Sequence, residues 1–246
     1  MTRTRQVEGS DSTVAAELEA AGDRSTESAE RDDKKRNAEL FSHALAKKFA
    51  TDLRQLFGTD SIKAGESRAG AARGAKKLDV NYSDDLYGLR LGISIKTILH
   101  RDAKSKNYTK NRKRVDEEFL AEVLDYHLRQ PYAVLIGVYF LPLDGCDDGT
   151  PGRASSFGQW VEKLFERSGR RDPRDNPELF ERVFIGLFES RPGPSFGHVT
   201  FFDVQTPPPR TGRPAPETLL SWSDLIEEIA AEHAKRNERF RWAQET

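Results

Sequence analysis

An aspartate and a lysine on neighbouring predicted strands are the residues of this chain best placed to do chemistry together. Asp79 lies in a segment where apolar and polar residues alternate (LDVNY), and Lys96 ends a second such segment (LRLGISIK). Because alternate residues of a strand face the same side of a sheet, Asp79 is expected to share a polar face with Arg90, Ser94 and Lys96. A carboxylate that holds Mg²⁺ beside an ammonium that orients water is the outline of a metal-dependent phosphodiesterase. One carboxylate is too few for the metal, so a second should lie nearby.

The elements that position these residues follow from the hydrophobic pattern. Helical spacing of apolar residues and strand-like alternation interleave along the chain. Helices are predicted at 37–57, 115–129, 157–168 and 217–236, and strands at 78–82, 89–96, 132–141, 182–188 and 198–204. The almost wholly apolar segment 132–141 is typical of a strand buried on both faces. This order predicts an α/β (α+β) domain with a central mixed sheet flanked by helices.

The spacing of the two strands also resembles a known family. Asp79, then fourteen residues, then Ser94-Ile95-Lys96 and a helix resembles the PD-(D/E)xK nuclease superfamily, which includes most type II restriction endonucleases and many repair nucleases. The segment 76–142 is similar to bacterial proteins described as restriction-endonuclease-like. The chain departs from the motif at Leu78, where proline is common, and at Ser94, where an acid is expected.

The resemblance implies where the missing acid comes from. Some restriction endonucleases have the same Ser-x-Lys form, and in them the helix after the lysine strand supplies a glutamate. That helix carries Glu117, Glu118 and Glu122 here, and Glu118 and Glu122 share one face. The implied catalytic set is Asp79, Ser94, Lys96, Glu118 and Glu122, with Mg²⁺ held by Asp79, Glu118 and Glu122. Glu118 is the first choice as metal ligand, Glu122 is its neighbour, and Glu39 is a further candidate.

The charge distribution bears on the partner. Lys and Arg number 39 against 40 Asp and Glu, so a net charge of −1 gives no bulk attraction to nucleic acid or membrane. Two segments are nevertheless basic: 61–78 has five basic residues to one acid, and 101–114 has seven to one. Both flank the predicted site, where they could grip a phosphate backbone, although a basic loop can also be simply a solvated surface. The residues expected to bind nucleic acid are Arg90, Lys104, Lys106, Lys110, Arg112 and Lys113.

The domain organisation follows from composition. Residues 1–36 carry only three large apolar side chains, so they are predicted to be a disordered, charged tail with at most a transient helix at about 15–21. A single domain is predicted to follow at 37–246. A single cysteine excludes a disulfide framework, and no apolar run reaches the length of a membrane span. We expect a cytoplasmic protein.

Together these patterns predict a Mg²⁺-dependent endodeoxyribonuclease, a type II restriction or other genome-defence enzyme. Double-stranded DNA is the expected partner, and a homodimer would supply one site for each strand. The alternative is a catalytically inactive nucleic-acid-binding or interaction protein that retains the nuclease fold, because Ser94 replaces a metal ligand. The position of Glu118 and Glu122 relative to Asp79 and Lys96 discriminates between the two.

Overall fold

Five helices and seven strands make up the described part of the protein. The computed structural model describes residues 12–22, 30–65, 78–209 and 212–237. The helices are α1 (Ala15–Ala20), α2 (Arg31–Phe57), α3 (Arg112–His127), α4 (Ser156–Phe165) and α5 (Trp222–Asn237). The strands are β1 (Ile62–Ala64), β2 (Val80–Asp84), β3 (Gly88–Thr97), β4 (Val134–Pro142), β5 (Arg182–Phe188), β6 (Val199–Asp203) and β7 (Leu219–Leu220).

All seven strands form one mixed sheet in chain order, β1 to β7. The central strands β3, β4 and β5 are parallel, and every other pairing is antiparallel. Parallel neighbours need a crossover connection, and α3 and α4 supply the two that are required. The predicted α/β architecture with a mixed sheet flanked by helices is confirmed.

The sheet is buried on both faces, each against two helices. Strand β4 is buried along its whole length, and its residues alternate between the two cores. Ile136 and Phe140 pack with α2 and α5 in what we call the α2–α5 core, whereas Leu135 and Tyr139 pack with α3 and α4 in the α3–α4 core. On β3, Ile93 and Ile95 point into the α2–α5 core, so Ser94 and Lys96 are directed towards α3.

A β-bulge removes one residue from the predicted polar face. Tyr82 pairs with Leu91 but the next residue pairs with Leu89, which leaves Arg90 as the extra residue of β3. Its guanidinium therefore turns towards α5, and it donates to Asn237 of α5 (3.3 Å) and to Asp84 of β2 (3.2 Å). The expectation that Arg90 lies beside Ser94 and Lys96 is wrong, because strict alternation fails at the bulge.

Part of the segment predicted to be a disordered tail is ordered. Residues 12–14 lie antiparallel to the start of β6, where Val14 N–H donates to the Gly197 carbonyl (2.8 Å) and Val199 N–H to that of Ser12 (3.0 Å). Val14 is fully buried, and Leu18 on α1 packs against the same core. Helix α2 begins at Arg31, six residues before its predicted start. The prediction is therefore corrected for residues 12–22 and 30–36: a few well-placed apolar side chains and backbone hydrogen bonds suffice to anchor them. Residues 1–11 and 23–29 lie outside the described residues.

Of the helices in the described part of the chain, none combines the length and the apolar composition that crossing a membrane requires.

The anchoring of the N-terminal segment can be tested at Val14. Replacing Val14 by Ala removes two buried methyl groups and should lower the free energy of unfolding by about 2 kcal/mol. Chemical denaturation of the full chain measures this change. The matched control is Glu19→Ala on the exposed face of α1, which should change stability by less than about 0.5 kcal/mol. Equal stabilities of the two variants would mean that the segment does not dock.

Candidate active site

A glutamate of α3 joins the lysine and the serine of β3. The Glu122 carboxylate accepts a hydrogen bond from Lys96 Nζ through Oε1 (2.7 Å) and one from Ser94 Oγ through Oε2. Ser94 is fully buried, and the Glu122 side chain is only 15% exposed. The helix glutamate thus reaches the position at which the sequence lacks an acid on the strand.

Glu118 lies one helical turn before Glu122 but contributes less. Its Oε2 is 3.8 Å from Lys96 Nζ, and its side chain is 43% exposed. Both glutamates face the lysine, as their spacing predicts. Glu122 lies closer to Lys96 than Glu118 does, although the sequence favoured Glu118 as the metal ligand.

Asp79 is fixed to β3 from the residue that precedes β2. Its Oδ2 accepts a hydrogen bond from the Ile95 backbone N–H (2.6 Å), and its own N–H donates to the Ile93 carbonyl (3.1 Å). The side chain of Leu78 occupies the space above Gly92, where a Cβ would lie 2.5 Å from Leu78 Cδ1. The hydrogen bonds of Asp79 thus continue the pairing of β2 with β3 and place the carboxylate beside the residue that precedes Lys96.

The charges of the cluster influence one another. Burial raises the pKa of Asp79 from 3.8 to about 6, against the lowering effects of the Ile95 hydrogen bond and of Lys96; Glu122 raises it further. Burial acts to lower the pKa of Lys96, but the Glu122 carboxylate outweighs it and the net pKa is raised. The ammonium is thus held in its charged form, whereas burial makes the ionised form of Asp79 less favourable.

The donor set suits a hard divalent cation. Asp79 and Glu122 are two largely buried carboxylates that share one ammonium, so one negative charge of this pair of acids is uncompensated. Carboxylate oxygens are the ligands that Mg²⁺ prefers. Among the described residues, however, no three Asp, Glu, His or Cys side chains are gathered tightly enough to form a ready-made metal site. Lys96 lies among the carboxylates instead.

The predicted nucleic-acid-binding residues, apart from Arg90, lie in or next to the loop that leaves the carboxyl end of β3. Lys104 and Lys106 are exposed, and Lys113 is 91% exposed and pairs with Glu117 (3.7 Å). Lys110 is also exposed but pairs with Asp102 (2.5 Å), which accepts hydrogen bonds from the loop backbone as well. Asp102 thus gives this loop a defined shape.

Arg112 is directed away from the loop. Its Nη1 lies 3.4 Å from the backbone oxygen and from the side-chain oxygen of Gln159 on α4. This contact makes Arg112 a link between α3 and α4. The second basic segment, 61–78, falls mostly at residues 66–77, so Arg68, Arg73, Lys76 and Lys77 lie outside the described residues; Lys63 is exposed on β1.

Arg114 and His43 also act on the charges of the cluster, whereas Glu39 does not join it. Arg114 pairs with Glu118 (3.5 Å), which the four-residue spacing could have predicted. His43, on α2, acts electrostatically to lower the pKa of Asp79, and no sequence signal connects these two residues because α2 reaches the site only through folding. Glu39, the additional candidate on α2, is 59% exposed and pairs with Lys35 (3.5 Å).

Comparison with known proteins adds little to this geometry. No family model matches the chain, and no curated protein matches it. Among solved structures, the chain is similar to SfsA from Pyrococcus furiosus in complex with Ca²⁺, with 12% identity and a TM-score of 0.28. The matched region covers 68% of this chain and 62% of the length of that one. A TM-score of this size does not define a shared fold.

The raised pKa of Asp79 predicts a pH-dependent effect of Asp79→Asn. In metal-free protein the unfolded state releases the Asp79 proton near pH 4 but the folded state only near pH 6, so the wild type loses stability as pH rises through this interval. The asparagine can still accept the Ile95 hydrogen bond and does not titrate. The stability of Asp79→Asn relative to wild type should therefore grow by about 2.4 kcal/mol between about pH 4 and about pH 7, as measured by denaturation in chelator. A difference that does not change with pH would contradict the burial of this carboxyl.

Proposed function

We propose that the chain is a Mg²⁺-dependent endodeoxyribonuclease of the PD-(D/E)xK type with a displaced glutamate. The observation that carries the proposal is the Glu122 carboxylate, which contacts both Ser94 and Lys96. Ser94 stands where the motif has an acid on the strand, and Glu122 of the next helix brings a carboxylate to that residue. We further propose a type II restriction or genome-defence role on double-stranded DNA, with a homodimer cutting both strands.

Each residue of the cluster has a role in this proposal. Asp79 and Glu122, with Glu118 as the more exposed third carboxylate, would hold Mg²⁺, which when bound neutralises charge on the scissile phosphate and promotes the ionisation of water. Lys96 is kept charged by Glu122 and donates to the attacking water or to the developing negative charge. Ser94 fixes the second oxygen of Glu122 and so holds the carboxylate in one orientation.

The basic loop supports a nucleic-acid substrate. Lys104, Lys106 and Lys113 are exposed at the carboxyl end of β3, the end at which Lys96 lies. Contacts of this kind to phosphates position a duplex without reading its sequence. Duplex bound across this loop would bring a phosphate towards the cluster.

The proposal predicts Mg²⁺-dependent cleavage of plasmid DNA that depends on the cluster. Lys96→Ala, Asp79→Ala and Glu122→Gln should each lower the cleavage rate at least about 100-fold, because Lys96 stabilises the developing negative charge and the two carboxylates would hold the metal. The matched control is Glu117→Gln, on the same helix but 61% exposed and paired with the exposed Lys113. It should cleave at the wild-type rate. Unimpaired cleavage by Lys96→Ala would make this assignment of the site wrong.

The displaced glutamate can be tested by returning it to the strand. Glu122→Ala alone should abolish cleavage, whereas Ser94→Glu combined with Glu122→Ala should restore it to within about tenfold of wild type. The reason is that a glutamate at position 94 would place its carboxylate in the space that Glu122 now fills beside Lys96. Circular dichroism confirms that both variants fold. A folded double variant as inactive as the single one would contradict the equivalence of the two positions.

A second candidate function is that of an inactive nucleic-acid-binding protein. It is favoured by the position of Lys96, which fills the space between carboxylates that do not form a tight group of three in the described residues. Duplex binding in a mobility-shift assay, with no cleavage at any Mg²⁺ concentration, would support this candidate over the nuclease.

A further inference from the structure

A second charged cleft lies at the amino end of β5. Its volume is about 1080 Å³, and its walls come from the loop 169–174, from β5 and β6, and from the end of α5. Among the described residues that line it, four are acidic and six are basic. The basic ones are Arg170, Arg171, Arg174, Arg182, Lys235 and Arg236.

The cleft is separate from the candidate active site. Arg182 pairs in register with Ile136 on β4, and Ile136 pairs with Ile93 on β3. Ile93 precedes Lys96 by three residues, and the cleft extends from Arg182 in the opposite direction along the strands, towards Arg170 and Tyr132. A ligand in this cleft would therefore occupy the amino ends of the parallel strands, whereas Lys96 lies near their carboxyl ends.

At the base of this cleft, one buried carboxylate accepts hydrogen bonds from two buried arginines. Glu181 Oε1 accepts from Arg170 Nη1 (3.0 Å) and from Arg236 Nη2 (3.1 Å). The exposed fractions of the three side chains are 0% for Glu181, 1% for Arg170 and 7% for Arg236. Two guanidinium groups with a single carboxylate leave one positive charge uncompensated in a low-dielectric environment, which is costly without a further anion.

These arginines also have donors without acceptors. Within the part of the chain that the structure describes, Arg170 Nε and Arg236 Nη1 are buried and make no hydrogen bond. Buried polar groups are almost always satisfied, and a buried donor left without an acceptor has a substantial free-energy cost. Both residues line the cleft, so its base carries hydrogen-bonding capacity that no acceptor among the described residues uses.

The other basic residues of the cleft account for the rest of its charge. Arg182 pairs with Asp203 (2.5 Å) and also with Glu228 of α5 (3.3 Å), Arg174 pairs with Asp172 (3.1 Å), and Lys235 pairs with Glu232 (3.3 Å). Arg171 is exposed and has no ion pair among the described residues. Among the lining residues the excess of two positive charges thus comes from Arg171 and from the two arginines that share Glu181, and Glu228, which contacts Arg182 from outside the lining, offsets part of it.

We propose that this cleft binds a phosphate group through Arg236, Arg171 and Arg170. A phosphate carries up to two negative charges and several acceptor oxygens, which matches both the charge excess and the unused guanidinium donors. Tyr132 also lines the cleft with 61% of its surface exposed, so the cleft has room and an aromatic ring for more than the phosphate alone. The phosphate could belong to free orthophosphate, a nucleotide or a nucleic-acid backbone.

Calorimetric titration of the full chain with three probes tests the proposal. The probes are inorganic phosphate, adenosine monophosphate and a short DNA duplex, each at constant ionic strength and without divalent metal. At least one should bind, and Arg236→Gln should weaken its affinity at least about tenfold through the loss of a charged donor. Arg236→Gln is expected to fold, since it leaves the neutral Arg170–Glu181 pair in place.

A matched control locates the binding. Arg213→Gln removes an exposed arginine that pairs with Asp147 (3.1 Å) outside the cleft. It should bind the probe as wild type does, and a loss of affinity equal to that in Arg236→Gln would show that binding follows overall charge and overturn the proposal. If Arg236→Gln does not fold, the double variant Arg171→Ala/Lys235→Ala, which changes two exposed residues of the cleft, is titrated with the probes in its place. The proposal is also overturned if no probe binds or if the cleft variants retain wild-type affinity. The probe that binds most tightly identifies the source of the phosphate.

Discussion

Lys96 on strand β3 and Glu122 on helix α3 form an ion pair, and burying either charge without the other would be unfavourable. Both side chains are largely withdrawn from water, so each charge depends on its partner and on the hydrogen bond from Ser94. The pair fixes the rotation of α3 about its own axis, because Phe119 and Val123 must enter the α3–α4 core while Glu118 and Glu122 face the lysine. It also fixes the lysine beside Asp79, whose own position depends on the backbone of β3. The site is thus assembled from three segments that the sheet and the crossover helix bring together.

The sequence was sufficient to predict much of this assembly. Alternation of apolar residues identified β2 and β3, and the strand β5 was predicted with its observed bounds. The placement of Asp79 in the neighbourhood of Lys96 followed from strand parity, and the presence of a glutamate beside the lysine was implied by the family resemblance. These features depend on local periodicity, which a sequence carries directly.

The features that were missed depend on tertiary contacts. β1 and β7 have three and two residues, too few for a periodic pattern. The bulge at Arg90 is a departure from alternation that no residue type announces. The choice between Glu118 and Glu122 depends on how α3 lies on the sheet, and both lie on the same helix face. The anchoring of residues 12–22 depends on Val14 meeting a core built from residues far along the chain, which composition averages cannot reveal.

The net charge of −1 conceals two buried imbalances of opposite sign. At the carboxyl ends of the parallel strands, Asp79 and Glu122 share Lys96; at the amino ends, Arg170 and Arg236 share Glu181. Each imbalance lowers the stability of the folded chain by itself, since a buried charge without a partner is worse than a buried apolar group. A protein selected for stability alone would gain by replacing one acid in the first cluster and one arginine in the second. That both clusters occur, on one sheet and with opposite signs, is consistent with the two ligands that we propose: a cation among the carboxylates and an anion among the arginines.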